Sequence, residues 1–582
     1  MLSRPNTTLV RCLLSLLLAF PALAVQASEL FVEISGIDDE LTENVESYLS
    51  IQDLHDQPAP NPGRLRYLHR KAEQEIRKAL EPFGYYRPNI EATLEQVDSN
   101  WHAHYRIDPA DPIRLRHCNI ALIGEGKDDP DLQQLIPQQG FNPGDRLDHR
   151  RYEQLKAILQ SFAAENGYHD GRWQQQQILI DLENYTADIE LTYNTGARYH
   201  YGDLIIDQAP INDELLARYP EFKIGDVFKT RELLELQAGL SNSGYFNRVE
   251  VQPLWDQTEE LQVPIRVKLE PNKRTQYQLG GGYGTDTGLR GTVGFNRRWI
   301  NPQGHRFHSQ LQVSSKNREF INEYVIPGQQ PQTEQYKLGF DFKEERTDSV
   351  DSQTLLFGVA REQQFEHLSQ TTGVSWEQER FVIDDTLTKT RNLIPQIRWS
   401  RIATDNPLDV DQGYRASLTL LGASEILFSD AQFIQALLSI KGVHSLNENF
   451  RLLARGELGA TAIDDFDTLP ATHRFYAGGD QSVRGYDYKS LGPQDSNGNV
   501  KGGSGLVVVS TEIDYRIKPD WRLALFVDKG DAVNSFEGGL NTGVGAGVRW
   551  QSPFGPIRLD LAKALNIEGH PWRIHFTLGP DL

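Results

Sequence analysis

The sequence predicts an α+β array of three β-α-α-β-β modules followed by a 16-stranded antiparallel transmembrane β-barrel. Three observations predict it. A glycine-aromatic step recurs as Gly84-Tyr85-Tyr86, Gly167-Tyr168-His169 and Gly244-Tyr245-Phe246, about 80 residues apart each time, the mark of an internal repeat. From about Thr275 onward helical periodicity gives way to runs of roughly ten residues that alternate apolar and polar. The N-terminus reads as an export leader, and no later stretch approaches the ~18 apolar residues of a transmembrane helix. A closed barrel is then the one way an exported chain of this kind can cross a bilayer.

The leader is expected over residues 1–27. Arg4 and Arg11 flank a polar start, Leu13 to Leu23 is apolar, and Val25-Gln26-Ala27 offers small residues before a cleavage site. The apolar run is short for a span and Pro21 interrupts it. Cys12 lacks a lipobox-like Leu-Ala-Gly ahead of it, and its removal with the leader leaves Cys118 as the single thiol. That excludes an internal disulfide and predicts a buried structural cysteine. The formal charge of −21 argues against a nucleic-acid partner, which requires a basic footprint.

The third repeat is the clearest. Tyr199 to Asp207 alternates as a strand, Asn212 can cap a short helix, and Thr230 to Ser241 places Leu233, Leu236 and Leu240 on one helical face. Gly244 ends that helix, and Phe246 to Pro253 and Leu261 to Glu270 read as two strands. The second repeat has the same order: Ile113 to Ile123, a helix near Asp131, a helix over Asp148 to Glu165, then Trp173 to Leu182 and Ala187 to Tyr193. So has the first: Leu30 to Ile34, helices near Leu41 to Leu49 and Arg64 to Leu80, then Ile90 to Glu95 and His102 to Ile107. This order resembles POTRA domains, periplasmic modules of outer-membrane assembly factors. The expected boundaries are 28–110, 111–196 and 197–272, with the barrel over 273–582. No module carries a catalytic cluster; a small sheet with a free edge suits capture of a client strand.

In the second half Leu523, Leu525 and Val527 alternate with Arg522, Ala524, Phe526 and Asp528. Val544, Ala546, Val548 and Trp550 alternate with Gly543, Gly545, Gly547 and Arg549, and Ile557, Leu559 and Leu561 with Arg558, Asp560 and Ala562. A soluble β-sandwich alternates in the same way. It would not accept unpaired arginines and carboxylates in a dry core, nor does it need aromatics near the strand ends. Eleven such blocks precede a long glycine-rich connection, about 477–503, and five follow it. Connections beyond about 12–15 residues are functional or disordered; this one has glycines at both ends and an arginine with aromatic neighbours.

Arg474-Phe475-Tyr476-Ala477-Gly478-Gly479-Asp480, followed by Val483-Arg484-Gly485-Tyr486, resembles the loop-6 motif of the Omp85 superfamily, and Phe526-Val527-Asp528-Lys529-Gly530 resembles a later strand motif of that superfamily. The resemblance implies that the loop enters the lumen and that Arg484 meets an acid of the inner wall. Asp528 lies on the polar face; Glu512 and Asp514, one strand earlier, are the rival partners. A guanidinium holds a carboxylate bidentately. In a wet lumen such a pair would contribute only about 0–1 kcal/mol, and a partly dried bidentate pair more.

Gly280, Gly281 and Gly282 are expected to weaken the first barrel strand, or else to make room for the loop. The last strand runs into Gly579 and Pro580, and proline cannot donate to a ladder. Their shared seam is therefore the expected gate through which a client strand could enter the bilayer. Three modules ahead of a barrel of this length are similar to the TamA family, whereas BamA proteins have five and two-partner secretion transporters two. That resemblance implies insertion of clients such as autotransporters and an inner-membrane-anchored, TamB-like partner. A passive or two-partner-secretion channel and an outer-membrane enzyme are the competing classes. The chain has no Gly-x-Ser-x-Gly elbow, no His-Glu-x-x-His and no cysteine pair, the glycine runs lie inside strands rather than in phosphate loops, and His575 stands alone on a strand. No catalytic residue, metal or cofactor is expected.

Overall fold

In the computed structural model the described residues are 29–54, 61–98, 100–138, 141–207, 210–347, 349–383, 386–406, 410–495, 498–535, 538–552 and 555–578. The predicted leader, and Gly579 and Pro580, lie outside them. The first module contains β1 (Leu30–Ser35), α1 (Asp39–Tyr48), α2 (Pro62–Leu80), β2 (Asn89–Val97) and β3 (Asn100–Asp108). The second contains β4 (Arg114–Ile123), α3 (Pro130–Gln138), α4 (His149–Glu165), β5 (Arg172–Asp181) and β6 (Thr186–Asn194). The third contains β7 (His200–Ile206), α5 (Asp213–Leu216), α6 (Thr230–Asn242), β8 (Phe246–Pro253) and β9 (Gln262–Pro271). Each sheet has the third strand in the middle, in the orders β1-β3-β2, β4-β6-β5 and β7-β9-β8.

The helices start where short polar side chains can accept free amides of the first turn. Asp38 accepts from Leu41 N, Asn61 from Gly63 N, Asp148 from Arg150 N and Asn212 from Leu215 N. Their apolar faces close the cores: Leu65, Leu68, Ala72 and Ile76 pack with Tyr105 and Ile107 in the first module, and Leu155 and Leu159 with Ile189 and Leu191 in the second. Cys118 is half-buried at the edge of that second core, so the expected fully buried thiol is only partly so, because β4 is an outer strand of its sheet. Burial raises its pKa.

The repeated glycine-aromatic step proves to be more than a helix end. Gly84, Gly167 and Gly244 all have positive φ, and each carbonyl faces the next segment of the chain. Gly84 O accepts from Ile113 N (2.8 Å) and Gly167 O from Tyr199 N (2.8 Å). Gly244 O accepts from Asn272 Nδ2 (3.4 Å). Between the first two modules, Tyr86 Oη also lies 2.9 Å from His149 Nε2, and Arg150 reaches both Glu40 (2.7 Å) and the face of Phe83.

Burial lowers the pKa of His149 below its usual 6.5, so the folded state binds fewer protons there than the unfolded chain. The stabilisation is complete above pH 6.5 and is lost as pH falls through the lowered value. Among the described residues every α-helix belongs to the modules, so the helical circular-dichroism signal reports them selectively. The melting temperature of that signal is expected to fall from pH 7 to pH 5, and to fall less in His149→Gln; equal slopes would exclude this contribution.

By compactness the chain divides into two units. One comprises Met1–Gly202, Ile224–Arg231 and Trp255–Val263; the other comprises Asp203–Lys223, Glu232–Leu254 and Pro264–Leu582. Within the second unit, residues of the third module are held on the turns at one end of the barrel. Tyr245 Oη donates to Gly304 O, Asn212 N donates to Pro302 O (2.8 Å) and Gln332 Nε2 donates to Tyr219 O (2.7 Å).

The barrel is one antiparallel sheet of sixteen strands in sequence order, β10 to β25. They are β10 (Thr275–Gly284), β11 (Gly288–Arg297), β12 (Arg306–Ser314), β13 (Asn317–Pro327), β14 (Glu334–Arg346), β15 (Asp351–Phe365), β16 (Leu368–Ile383), β17 (Thr386–Thr404), β18 (Gln412–Ala423), β19 (Phe433–Ser445), β20 (Phe450–Ile463), β21 (Gly505–Lys518), β22 (Trp521–Val533), β23 (Asn541–Ser552), β24 (Gly555–Ala564) and β25 (Trp572–Leu578). The alternation sorts the side chains as a barrel requires: Leu525 is 63% exposed on the outside, whereas Phe526 and Asp528 are buried inside.

Candidate functional site: the lumen loop and the barrel seam

The long connection between β20 and β21 folds back against the inner wall. Isolated bridges Phe475 to Gly503 and Ala477 to Leu491 make it a hairpin of its own. Phe475, Ala477, Val483, Tyr486 and Leu491 pack against Leu506, Val508, Ala532 and Ala564 of the wall. Gly478, Gly479 and Gly485 have φ of 97°, 105° and 97°, a region side chains disfavour, so the motif glycines set the course of the loop. Tyr486 is buried and donates to Thr542 O (3.1 Å).

Arg484 lies against the wall with its side chain 8% exposed. Its Nε and Nη2 donate to the two oxygens of Asp528 at 2.7 and 2.9 Å, and its backbone N–H donates to Oδ2 at 3.0 Å. Nη1 donates to Glu512 (2.7 Å) and to Asp560 (3.1 Å). The guanidinium carbon sits 3.4 Å from the ring centroid of Phe526, a cation-π contact strengthened by exclusion of water. Arg549 completes the group, donating to Glu512 (2.9 Å) and Asp560 (2.6 Å). Two guanidiniums, one from the loop and one from β23, thus sit among three carboxylates from β21, β22 and β24.

The structure decides between the alternatives. The pair is buried rather than solvated, so the estimate for an exposed bridge does not apply. Asp514 is not a partner of Arg484; it pairs with Arg451 at 2.8 Å, both side chains being buried. Glu512 is a partner in addition to Asp528, and Asp560 and Arg549 were not singled out from the sequence. The alternation had already put both on the inner face, which was the available signal.

The glycines also exchange roles. A Cβ at Gly280, Gly281 or Gly282 would meet nothing closer than 3.6 Å, so these residues do not make room for the loop. At Gly543 a Cβ would fall on the carbonyl oxygen of Arg484, at Gly545 on the ring of Phe526, and at Gly547 on the carboxylate of Asp560. The alternating glycines of β23 clear the space that the loop and its ion network occupy.

At the seam, β10 pairs with β11 over its whole length, Thr275 with Arg297 to Gly284 with Gly288. On its other edge β10 faces β25. Among the described residues no ladder joins these end strands. Across the join, Phe576 N donates to Oγ1 of Thr285, in the turn after β10 (3.0 Å), and the rings of Tyr283 and Phe576 lie 6.2 Å apart.

The loop tip meets this seam. Asp480 accepts from Thr285 Oγ1 (3.1 Å) and contacts Nδ1 of His575, and its backbone N–H donates to Asp286 (2.6 Å). His575 is buried, and its Nε2 accepts from Gly485 N (2.8 Å). It is therefore not alone, as the sequence had it. Asp286, Asp480 and His575 bring one ligand atom each within 4.8 Å of one another. Because Nε2 is the acceptor, the ring proton of the neutral imidazole lies on Nδ1, facing Asp480. That is a hydrogen-bond arrangement rather than a lone pair offered to a metal.

Comparison with known proteins agrees with this architecture. The profile of the Omp85 superfamily domain matches residues 275–581, and that of POTRA domain TamA domain 1 matches residues 31–109. The chain is 24% identical over 431 residues to the outer membrane protein assembly factor BamA of Nitratidesulfovibrio vulgaris, covering 68% of this chain and 53% of that protein. It is 22% identical over 555 residues to BamA of Neisseria meningitidis serogroup B, covering 80% and 67%. It thus spans between half and two thirds of the length of these relatives. The structure of Haemophilus ducreyi BamA lacking POTRA domains 1-3 superposes with a TM-score of 0.67 at 16% identity, covering 80% of this chain and 99% of that one. With sixteen strands, a lumen loop anchored through Arg484 and a profile match over the whole barrel, the chain belongs to the Omp85 superfamily.

Proposed function

We propose that this protein is an outer-membrane protein assembly factor of the TamA type, with its barrel in the bacterial outer membrane and its modules in the periplasm. Its clients are unfolded outer-membrane proteins such as autotransporters, and its partner is an inner-membrane-anchored, TamB-like protein. The observation that carries this reading is the seam. Among the described residues, two strand edges face each other with few hydrogen bonds, in a solvent where bare main-chain groups are costly. An incoming strand satisfies both edges, so insertion needs neither ATP nor a catalytic residue.

The outer strands β2 and β5 are largely exposed and offer edges for a client segment before it reaches the barrel. A lumen occupied by the Arg484 loop is a poor conduit, which disfavours the passive-channel reading.

The test is a reversible lock. In a Cys118→Ser background, Tyr283→Cys with Phe576→Cys joins β10 to β25. Oxidation is expected to reduce insertion of an autotransporter β-domain into proteoliposomes at least tenfold, and reduction to restore it. Equal insertion by the oxidised and reduced proteins would overturn the reading.

A further inference from the structure

Arg484 is anchored on β21, β22 and β24 through Glu512, Asp528 and Asp560, away from the unpaired edge of β10. The loop has a second attachment, and this one straddles the seam. Thr285, in the turn that follows β10, uses its hydroxyl twice: it donates to the carboxylate of Asp480 (3.1 Å) and accepts from Phe576 N of β25 (3.0 Å). The next residue along that turn, Asp286, accepts from Asp480 N (2.6 Å). From the other side His575 of β25 donates through Nδ1 to Asp480 and accepts at Nε2 from Gly485 of the same loop. First hairpin, loop tip and last strand thus form one closed ring of hydrogen bonds. Its side chains are nearly dry: Asp480 is 7% and His575 1% exposed, and Asp286 is buried.

We propose that Asp480 is a latch residue, which holds the seam shut by tying Thr285 of the first hairpin to His575 of the last strand. The seam opens when the loop tip withdraws. Where a ladder would give a row of backbone bonds, the described residues of this join are tied through one carboxylate and one hydroxyl. Loop position and seam state are therefore one variable. A client that displaces the tip opens the wall, and closing the wall returns the tip. The inference rests on the seam being the client route, but its test measures the seam itself.

The test uses the full-length protein in lipid nanodiscs with Cys118→Ser and spin labels at Leu279→Cys and Ile574→Cys. Both positions are exposed on the outer face, at 84% and 59%, so the labels leave the ring untouched. The parent is expected to show one narrow inter-label distance. Thr285→Val, which keeps shape but removes the hydroxyl, is expected to add a longer-distance population at least threefold larger than in the parent. Thr285→Ser is expected to restore the parent distribution. Asp480→Asn is expected to behave like Thr285→Val while the Arg484 segment stays protected from protease.

Identical distributions for Thr285→Val, Thr285→Ser and the parent, in barrels that remain heat-modifiable on gels, would overturn the proposal. So would widening of the parent by EDTA, which would replace the hydrogen-bonded ring by a metal. Should Asp480→Asn fail to fold, the valine-serine pair decides alone. A latch that responds as expected in a protein that inserts no client would leave the latch standing and remove the assembly reading instead.

Discussion

Replacing Arg484 with alanine is expected to release the lumen loop and abolish most client insertion while the barrel itself still forms. The guanidinium is buried among Asp528, Glu512 and Asp560, and removing one partner of a buried ion group costs about 3–5 kcal/mol, because it leaves charges uncompensated. Arg549 remains to hold Glu512 and Asp560, but Asp528 loses both guanidinium donors, Nε and Nη2, and keeps only the backbone N–H of residue 484 and the Ser510 hydroxyl. The loss therefore falls on loop position rather than on the sheet, whose ladders do not involve Arg484. The expected result is a folded, heat-modifiable barrel whose loop is cut by protease at least a hundredfold faster than in the parent. Arg484→Lys is expected to recover little, since an ammonium cannot serve three carboxylates with a planar fork or stack on Phe526 in the same way. Parent-like protease resistance and insertion in Arg484→Ala would remove the loop from the mechanism.

A single methyl group at Gly543 is expected to have an effect nearly as large. The Cβ of Gly543→Ala would land on the carbonyl oxygen of Arg484, a backbone atom that cannot swing aside. Either the loop lifts from the wall or β23 bends, and overpacking of this kind costs roughly 1–3 kcal/mol or more. Gly281→Ala is the matched control, because the same methyl there meets no atom within 3.8 Å. Protease sensitivity of the loop and insertion rate should change in the first variant and stay near parent values in the second. If Gly281→Ala proved the more damaging, the weight given to β23 would be misplaced and the first strand would matter through its flexibility.

Much of this was readable along the chain because it depends on local pattern. The cap at Asn212 and the leucine face of Thr230 to Ser241 gave the third module's helices; the alternation after Thr275 gave the strands, and with them the inward face that carries Asp528. The glycine-aromatic step was legible as a helix end, but its carbonyl bond to the next segment was not, since nothing local says what lies 29 residues beyond Gly84. The inner face offered several acids at once, and periodicity cannot rank residues that share a face. Which acid is reached depends on strand register and on where the loop enters.

The module repeat, the strands that line a barrel and an arginine loop suited to an acidic wall are all legible in the chain, because each follows from a period of two, a period of 3.6 or a glycine where only glycine fits. The tertiary structure alone decided that Asp514 goes to Arg451, that β23 rather than β10 makes room for the loop, and that Asp480 joins Thr285 to His575. Those three residues stand 195 and 95 positions apart. They meet because curling sixteen strands into a cylinder brings the first and last together; the alternation announces that closure but does not say which side chains meet across the join.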